Sequence, residues 1–563
     1  MKKCRIVVVA LVIVFCLSFF ISIPVFGCKD IIACGNSTAG DYNLLLKVRD
    51  PSRPGLQVLT IVPENYEYDF YHPWTGKNFV FRVENKYIGV ASLNDVAPNI
   101  VKSGMVLTEK GLAYGDADSN SRWINPTRFA WDDFDWIRYS CERADNIDEA
   151  VVLLTEDVVD KYHATGVSEN LFVVGPDSGY IIEADAFRYD IKELRNDVGV
   201  MSNYPKEFWS SQIQKRLPIS RTFDFTVEDT FSVGDVVRLN SLYGVKILDI
   251  TDSSIFARQV PIFKVNLHTF LFIGEKTEIE INERKNVGDF SLKVIGISDD
   301  SVEIELKNKF NAWEDKMLEF VNSIYGEITV RDMIGWSRLK SSDLEGLRGM
   351  CEGNYKDEAV AIYKIPNNDY DVLSMGWFSP SFSCSSIYVP FHICDNEIFD
   401  PYENGMAAQL GQDLFEIYGY DKLGFFDKIE DVFLFENNVV ESLVKTIVKN
   451  KSLASNILTV FDNNVQRQAY FTQRILLEID NINDEDEKEK CINLVSEMWD
   501  SNYSTSFSNI QKTVLKITDF INSSKIFDDL NNISFSIINS KLEIANILGL
   551  KYNLALSKFN LEE

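Results

Sequence analysis

Short apolar runs of strand length, broken by Pro, Gly and Asn, fill residues 29–125 and constrain the fold more than any other feature of the chain. "YNLLLKVRD", "LQVLTIV", "NFVFRV" and "KYIGVASL" are each too short for a stable helix and end at turn signals. A helical block follows over residues 131–154, where Asn146 with Glu149 three residues on forms a capping-box pattern. Strand patterns return in "ENLFVVGPDSGYIIEAD", residues 169–185, whose PDSG reads as a hairpin turn, and again in "DVGVMSN". Helical and mixed structure is expected over 206–250, strands over 265–310, and a helix over 313–325. Two further strands are expected in "EAVAIYKI" and "SSIYVPFHI". From about residue 406 the spacing turns helical. Leu443, Val444, Ile447, Val448, Ala454, Ile457, Leu458 and Phe461 recur at 3–4 residue intervals across a break near Asn450, and the signal runs on to Phe559. Strands flanking helices in this order predict an α+β layered protein with a helical C-terminal region.

The N-terminus bears on compartment. "MKKCR" is a basic start, residues 6–28 carry no charge, and Pro24 breaks the run shortly before Gly27 and Cys28. This is the pattern of a secretory signal cleaved near Gly27/Cys28, with residues 1–27 removed. An uncleaved membrane anchor is the alternative, and "VFGC" also resembles a lipobox that would acylate Cys28. No other run of 18 apolar residues occurs, so the body is expected to be secreted or extracytoplasmic, meeting a membrane only through an anchor or a lipid. The 563 residues allow two to four domains, or one large domain with additions. A net charge of −28 argues against nucleic acid as a partner.

Of nine cysteines, seven follow Cys16: Cys28, Cys34, Cys141, Cys351, Cys384, Cys394 and Cys491. With Cys28 set aside, six remain, an even number compatible with disulfides, though nothing in the spacing fixes a pairing. There is no CxxC pair, and the four histidines, His72, His163, His268 and His392, lie far apart, so no zinc site is expected. The same scarcity weakens any scheme in which a histidine activates a nucleophile. A cysteine at the first residue of a strand has another route: its own freed α-amine serves as the general base.

"CKDIIACGNSTAGDYNLLLKVRD", residues 28–50, resembles the opening of the cysteine N-terminal-nucleophile (Ntn) hydrolases. These include choloylglycine hydrolases, penicillin V acylases, isopenicillin N acyltransferases and dipeptidase A-like peptidases. Cys28 matches the nucleophile, Gly40 the turn and Asp50 the family's aspartate, while Lys47 stands for the usual Arg and Val48 for Asn. "GMVLTEKGLAYGDAD" is similar to the next family hairpin, with Thr108 in place of Asn, and "NLFVVGPDSGYIIEAD" to a hairpin ending in a buried Glu, here Glu183. "VGVMSNYPKEF" is similar to the stretch that supplies an oxyanion-binding Asn, here Asn203. "ITVRDMIGWSRL", "GMCEGNYKDEAVAIYKIP" and "MGWFSPSFSCSSIYVPF" resemble the closing half of the dipeptidase-like peptidases, with Ser379 in place of a Gly. The resemblance covers residues 28–405 and leaves 406–563 as a helical extension.

The resemblance implies a four-layer αββα sandwich acting on linear amide or peptide bonds, through a thioester acyl-enzyme on Cys28 and with no metal or organic cofactor. Asp50 would orient the thiol and α-amine, and Asn203 would donate to the oxyanion. Lys47 and Arg49 fall on one face of their strand, opposite Val48, as candidate substrate-binding cations. Asp118 lies near a second polar site position, and Arg221 in "ISRTF" stands for a later site Arg. A dipeptidase also has to hold a free amino group, a role open to Asp116 or Asp118. Peptides are the first substrate class, with N-acyl amide hydrolysis or acyl transfer the nearest alternative. Cys34 reads as a core residue. In another class altogether, Cys28 is a lipid anchor or an ordinary cysteine, and the protein is a surface lipoprotein or binding module.

Overall fold

The computed structural model describes residues 27–50, 55–93, 102–119, 121, 123–204, 226–239, 243–261, 274–298, 300–352, 359–421, 423–499, 536–537, 539–544 and 546–547. It is a mixed helix and sheet protein whose strands, numbered in chain order, all pair antiparallel within their sheets. One sheet runs β12 (Val198–Met201), β1 (Lys29–Ala33), β2 (Tyr42–Arg49), β21 (Ala359–Pro366), β22 (Met375–Ser379) and β23 (Val389–His392). The other runs β11 (Arg188–Leu194), β10 (Gly179–Asp185), β9 (Ser168–Val174), β8 (Ala113–Ser119), β7 (Met105–Thr108), β6 (Tyr87–Ser92) and β3 (Gln57–Val62). A two-stranded ribbon, β4 (Glu67–Tyr71) with β5 (Asn78–Arg82), stands apart from both.

Strand periodicity explains how the second sheet is packed. In β9, Phe172 and Val174 join the core shared with the first sheet, while Leu171 and Val173 face the core built with the helical segment Asp133–Lys161. Successive side chains point to opposite faces, so a strand covered on both faces is apolar throughout. The helices Lys309–Ser323 and Val330–Ser337 join the core of the first sheet. Asn308 and Thr329 cap their first turns by accepting from Phe310 N and Asp332 N.

The C-terminal region is helical where it is described: Met406–Tyr418, Phe426–Val444, Lys451–Ile479 and Glu485–Met498. The break near Asn450 is a helix start, where the Asn450 side chain accepts from Leu453 N. Leu443, Ala454, Leu458 and Phe461 all enter the core shared with β21–β23. Among the described residues no helix is long and apolar enough to cross a membrane.

Three details correct the sequence reading. The described part of residues 206–250 is strand rather than helical and mixed. It holds β13 (Thr226–Ser232), β14 (Val236–Val237) and β15 (Tyr243–Ile250). With β16 (Ser254–Pro261), β17 (Thr277–Glu280), β18 (Arg284–Val287), β19 (Phe290–Ser298) and β20 (Ser301–Asn308) these build two four-stranded sheets. Val245, Ile247, Ile255, Ala257, Leu292 and Ile304 form a core of their own there, so this stretch buries its apolar face locally. Asn146 caps its helix by accepting from Glu149 N, but the Glu149 carboxylate returns to Asp145 N, one residue short of a reciprocal box. All seven cysteines from Cys28 onward are free thiols in this structure.

Candidate functional site

β1 is an interior strand, hydrogen-bonded to β12 on one side and β2 on the other, and Cys28 immediately precedes it. The register sets Asp30 opposite Lys47 on β2 and Met201 on β12. Cys28 and Asp30 are two residues apart and share a face, as do Lys47 and Arg49. That face is turned toward β8 of the second sheet. At Gly115 a Cβ would lie 3.2 Å from Asp30 Oδ1 and 3.5 Å from Lys47 Cδ, so the missing side chain is the space through which these two groups pass.

Lys47 is fully buried. Its Nζ donates to the Asp116 carbonyl and lies 3.3 Å from Asp116 Oδ1 and 3.6 Å from Asp30 Oδ2, and its charge acts on the Cys28 thiol. Burial opposes its charge, but Asp30, Cys28 and Asp116 together overcome that cost and hold the ammonium protonated. Asp30 goes the other way: burial, only partly offset by Lys47, pushes its carboxyl well above the usual range. The half-buried Cys28 thiol is pushed up to about 12, by burial first, with Asp116, Asp118 and Asp30 adding to the rise and Lys47 opposing it. With Gly27 still attached, the thiol is therefore held protonated.

Asn203 reaches the same place from the other edge of β1. Its Oδ1 accepts from Gly27 N at 2.9 Å and its Nδ2 donates to the Asp118 carbonyl at 2.8 Å. The segment carrying it is pinned by three hydrogen bonds from two sides. Ser202 N and Oγ both donate to Glu314 Oε1 at 3.0 Å, and Asn170 Nδ2 donates to Ser202 O at 2.6 Å. One side chain, 176 positions away from Gly27 in sequence, thus ties the residue before Cys28 to the end of β8.

The structure accordingly brings Cys28, Lys47, Asp118 and Asn203 together. Arg49 is buried nearby, donating to Gln57 with its guanidinium 4.6 Å from the Phe134 ring centroid. Asp50 lies just past the end of β2, with its carboxylate 3.7 Å from Arg348 Nη2. Arg221 lies outside the described residues. Cys34 is fully buried, and Glu183 is buried in β10. Sequence reasoning missed Asp30, although its two-residue spacing from Cys28 was the signal. It also missed Glu314 and Asn170, for which no local pattern exists.

No protein-family model matches the chain, and no curated protein matches it. Among solved structures it is similar to conjugated bile acid hydrolase from Clostridium perfringens and to penicillin V acylase from Agrobacterium tumefaciens. One variant of the bile acid hydrolase aligns at 10% identity and TM-score 0.25, over 36% of this chain and 61% of the other. A second variant aligns at 8% identity and TM-score 0.30, over 66% and 90%. The acylase aligns at 11% identity and TM-score 0.25, over 45% and 91%. In the first of these alignments the chain spans less than two thirds of the hydrolase's length. These likenesses are distant.

Proposed function

We propose that the chain is an N-terminal-nucleophile hydrolase of linear amide or peptide bonds, dipeptidase-like in substrate, built as an αββα sandwich over residues 28–405 with a helical extension. Residues 1–27 are a secretory signal, which places the mature enzyme outside the cytoplasm. The reading rests on one observation above all. A cysteine at the head of an interior strand feels the charge of a buried ammonium, and the residue before it is bound by a firmly held asparagine amide.

Cleavage before Cys28 frees an α-amine beside the thiol. The amine takes the thiol proton as sulfur attacks the substrate carbonyl, then passes it to the leaving nitrogen as the C–N bond breaks and a thioester forms. Water, deprotonated by the same amine, breaks the thioester and restores the thiol. Lys47 favours the thiolate by its charge. Asn203 has a second Nδ2 hydrogen besides the one on Asp118, available to the oxyanion. No step calls for a metal or an organic cofactor.

The test compares protein beginning at Cys28 with protein retaining Gly27, each treated with a thiol-directed acyl probe and read by intact mass. Rapid acylation of Cys28 in the first alone is expected. Equal labelling of both, or labelling at Cys34, Cys141 or Cys351, sinks the mechanism. A diacylglycerol adduct on Cys28 of protein from its native host would make it a surface module instead.

A further inference from the structure

Two of the free thiols other than Cys28 converge on one helix end. Cys351 lies beyond the helix Val330–Ser337, and Cys384 lies in the connection between β22 and β23. The Cys351 thiol donates to Arg338 O at 3.6 Å. Ser383, the residue before Cys384, donates through Oγ to Ser337 O at 2.8 Å, and its carbonyl accepts from Arg338 Nε at 2.7 Å. Two consecutive residues of one turn thus gather both segments. The thiols also meet: a side-chain hydrogen bond with Cys384, ahead of burial, holds the Cys351 thiol well above its ordinary range. The groups acting on the other buried thiols are led by carboxylates, Asp197 for Cys34, Glu142 for Cys141 and Glu487 for Cys491.

The chain just before Cys351 supports the strand that Cys28 heads. Lys29 is fully buried, and its Nζ donates to Gly349 O at 2.9 Å and to Met350 O at 3.0 Å. The segment of Cys384 is anchored elsewhere, in the C-terminal helices. Ser385 Oγ donates to Gly411 O at 3.0 Å, Ile387 N to Gln473 Oε1 at 3.1 Å, and Tyr388 N to Glu430 Oε1 at 2.9 Å. A covalent link between the two sulfurs would join the support of β1 to the C-terminal region.

We propose that Cys351 and Cys384 are a redox modification site, where a low-molecular-weight disulfide converts the two thiols into an intrachain disulfide that clamps the Gly349 and Met350 carbonyls onto Lys29. Cys384 is 7% exposed and Cys351 0%, so Cys384 meets the reagent first. It gives its proton to solvent, and its thiolate attacks one sulfur of the small disulfide, whose S–S bond breaks and releases one thiolate. Cys351 passes its proton to that thiolate, attacks the Cys384 sulfur and expels the second small thiol. The cysteine pair is oxidised by two electrons, and the small disulfide is reduced to two thiols. This chemistry goes beyond the hydrolase reading, which concerns Cys28.

The experiment incubates protein beginning at Cys28 with oxidised glutathione, or with dithiothreitol as the reduced control. A second sample is refolded from urea in a glutathione buffer, so that burial of the thiols does not limit access. Both are blocked with N-ethylmaleimide in denaturant, digested and mapped by mass spectrometry. The expected product is a linked peptide pair, Cys351 with Cys384, lighter by two hydrogens than the free pair, with maleimide on Cys34, Cys141 and Cys491. Cys351→Ser should stop at the first step and leave glutathione on Cys384. Maleimide on both Cys351 and Cys384 in both wild-type samples, or a link from either to another cysteine, overturns the site.

The clamp is read on the linked protein. Its melting temperature should rise by about 2–6 °C over the reduced form and fall back on adding dithiothreitol. Amide hydrogen exchange over Lys29–Ala33 should slow, because the carbonyls that hold Lys29 are tethered. A linked pair whose melting temperature and β1 exchange match those of the reduced protein overturns the clamp. Neither readout uses a substrate, so failure of the hydrolase reading leaves this test intact.

Discussion

Two of the buried polar clusters among the described residues, each with a cysteine at its edge, make an instructive pair. The first surrounds Cys28. The second joins β23 to the helix Lys451–Ile479: His392 Nδ1 lies 2.7 Å from Asp462 Oδ2, His392 N donates to Asp395 and Asp462, and Lys86 Nζ donates to the Asp395 carbonyl. Lys364 pairs with Glu441 beside them, and Cys394 follows two residues after His392. Every side chain of the His392, Asp395 and Asp462 set is sealed. In the first cluster Cys28 is half-buried and Asp118 is exposed. A histidine beside carboxylates and a cysteine has the more familiar composition for catalysis, yet it is the closed one and acts as a strut between sheet and helix. Access, more than composition, separates a site from a structural lock.

The comparison breaks most simply at the two cysteines. Cys28→Ala should abolish acyl-enzyme formation outright, and Cys28→Ser should retain at most a trace, because a hydroxyl is the weaker nucleophile. Cys394→Ala should leave acylation intact. Mass spectrometry of probe-treated protein decides it, and loss of labelling in Cys394→Ala would reverse the two roles.

Lys47 tests whether the first cluster is also a structural element. Lys47→Met leaves Asp116 and Asp30 buried without their cation, a change that typically costs about 3–5 kcal/mol. Urea unfolding should register a loss on that scale. Adding Asp30→Asn should restore part of the stability but not the alkylation rate of Cys28, since the charge beside the thiol is still missing. Recovery of both would mean that Lys47 serves the fold alone.

Much of this cluster was legible in the sequence because it follows chain order. Cys28, Asp118 and Asn203 each fall in a segment that resembles a family motif, in the same order along the chain, and the fold brings all three together. Lys47 was legible as a residue on the right face but not as the partner of Asp30, since that depends on the register of β1 against β2. Glu314 and Asn170 hold the Asn203 segment from 112 and 32 residues away, and no periodicity encodes such contacts. The β13–β20 module was read only in part because strands such as β13, "TVEDTFS", are mostly exposed and carry few apolar residues. The C-terminal helices were legible from their 3–4 spacing, whereas the His392–Asp462 contact that ties them down was not.

Asn203 sharpens the first cluster further. Removing one oxyanion donor typically costs about 10²–10³ in turnover. Asn203→Ala should show that loss in kcat with a KM changed much less, and with a melting temperature close to that of the parent. A rise in KM with kcat unchanged would move Asn203 from the oxyanion to substrate holding.

The smallest effect expected lies in the second cluster, and it is read as a slope. Burial pushes the Asp462 carboxyl up to about 8, and the neighbouring Asp395 well above its ordinary range. A carboxyl with a raised native pKa keeps a proton that the unfolded chain gives up near pH 4. The folded state therefore binds more protons between about pH 4 and pH 8, and stability falls as pH rises through that window, then levels off above it. One proton contributes at most about 1.4 kcal/mol per pH unit. Asp462→Asn should make the unfolding free energy measurably flatter between pH 6 and 8, the span in which Asp462 itself comes to titrate. Acylation of Cys28 in the same variant should keep its rate, because the strut touches neither the thiol nor Lys47. A change in that rate without a change in the slope would show that the sealed cluster, too, belongs to the chemistry.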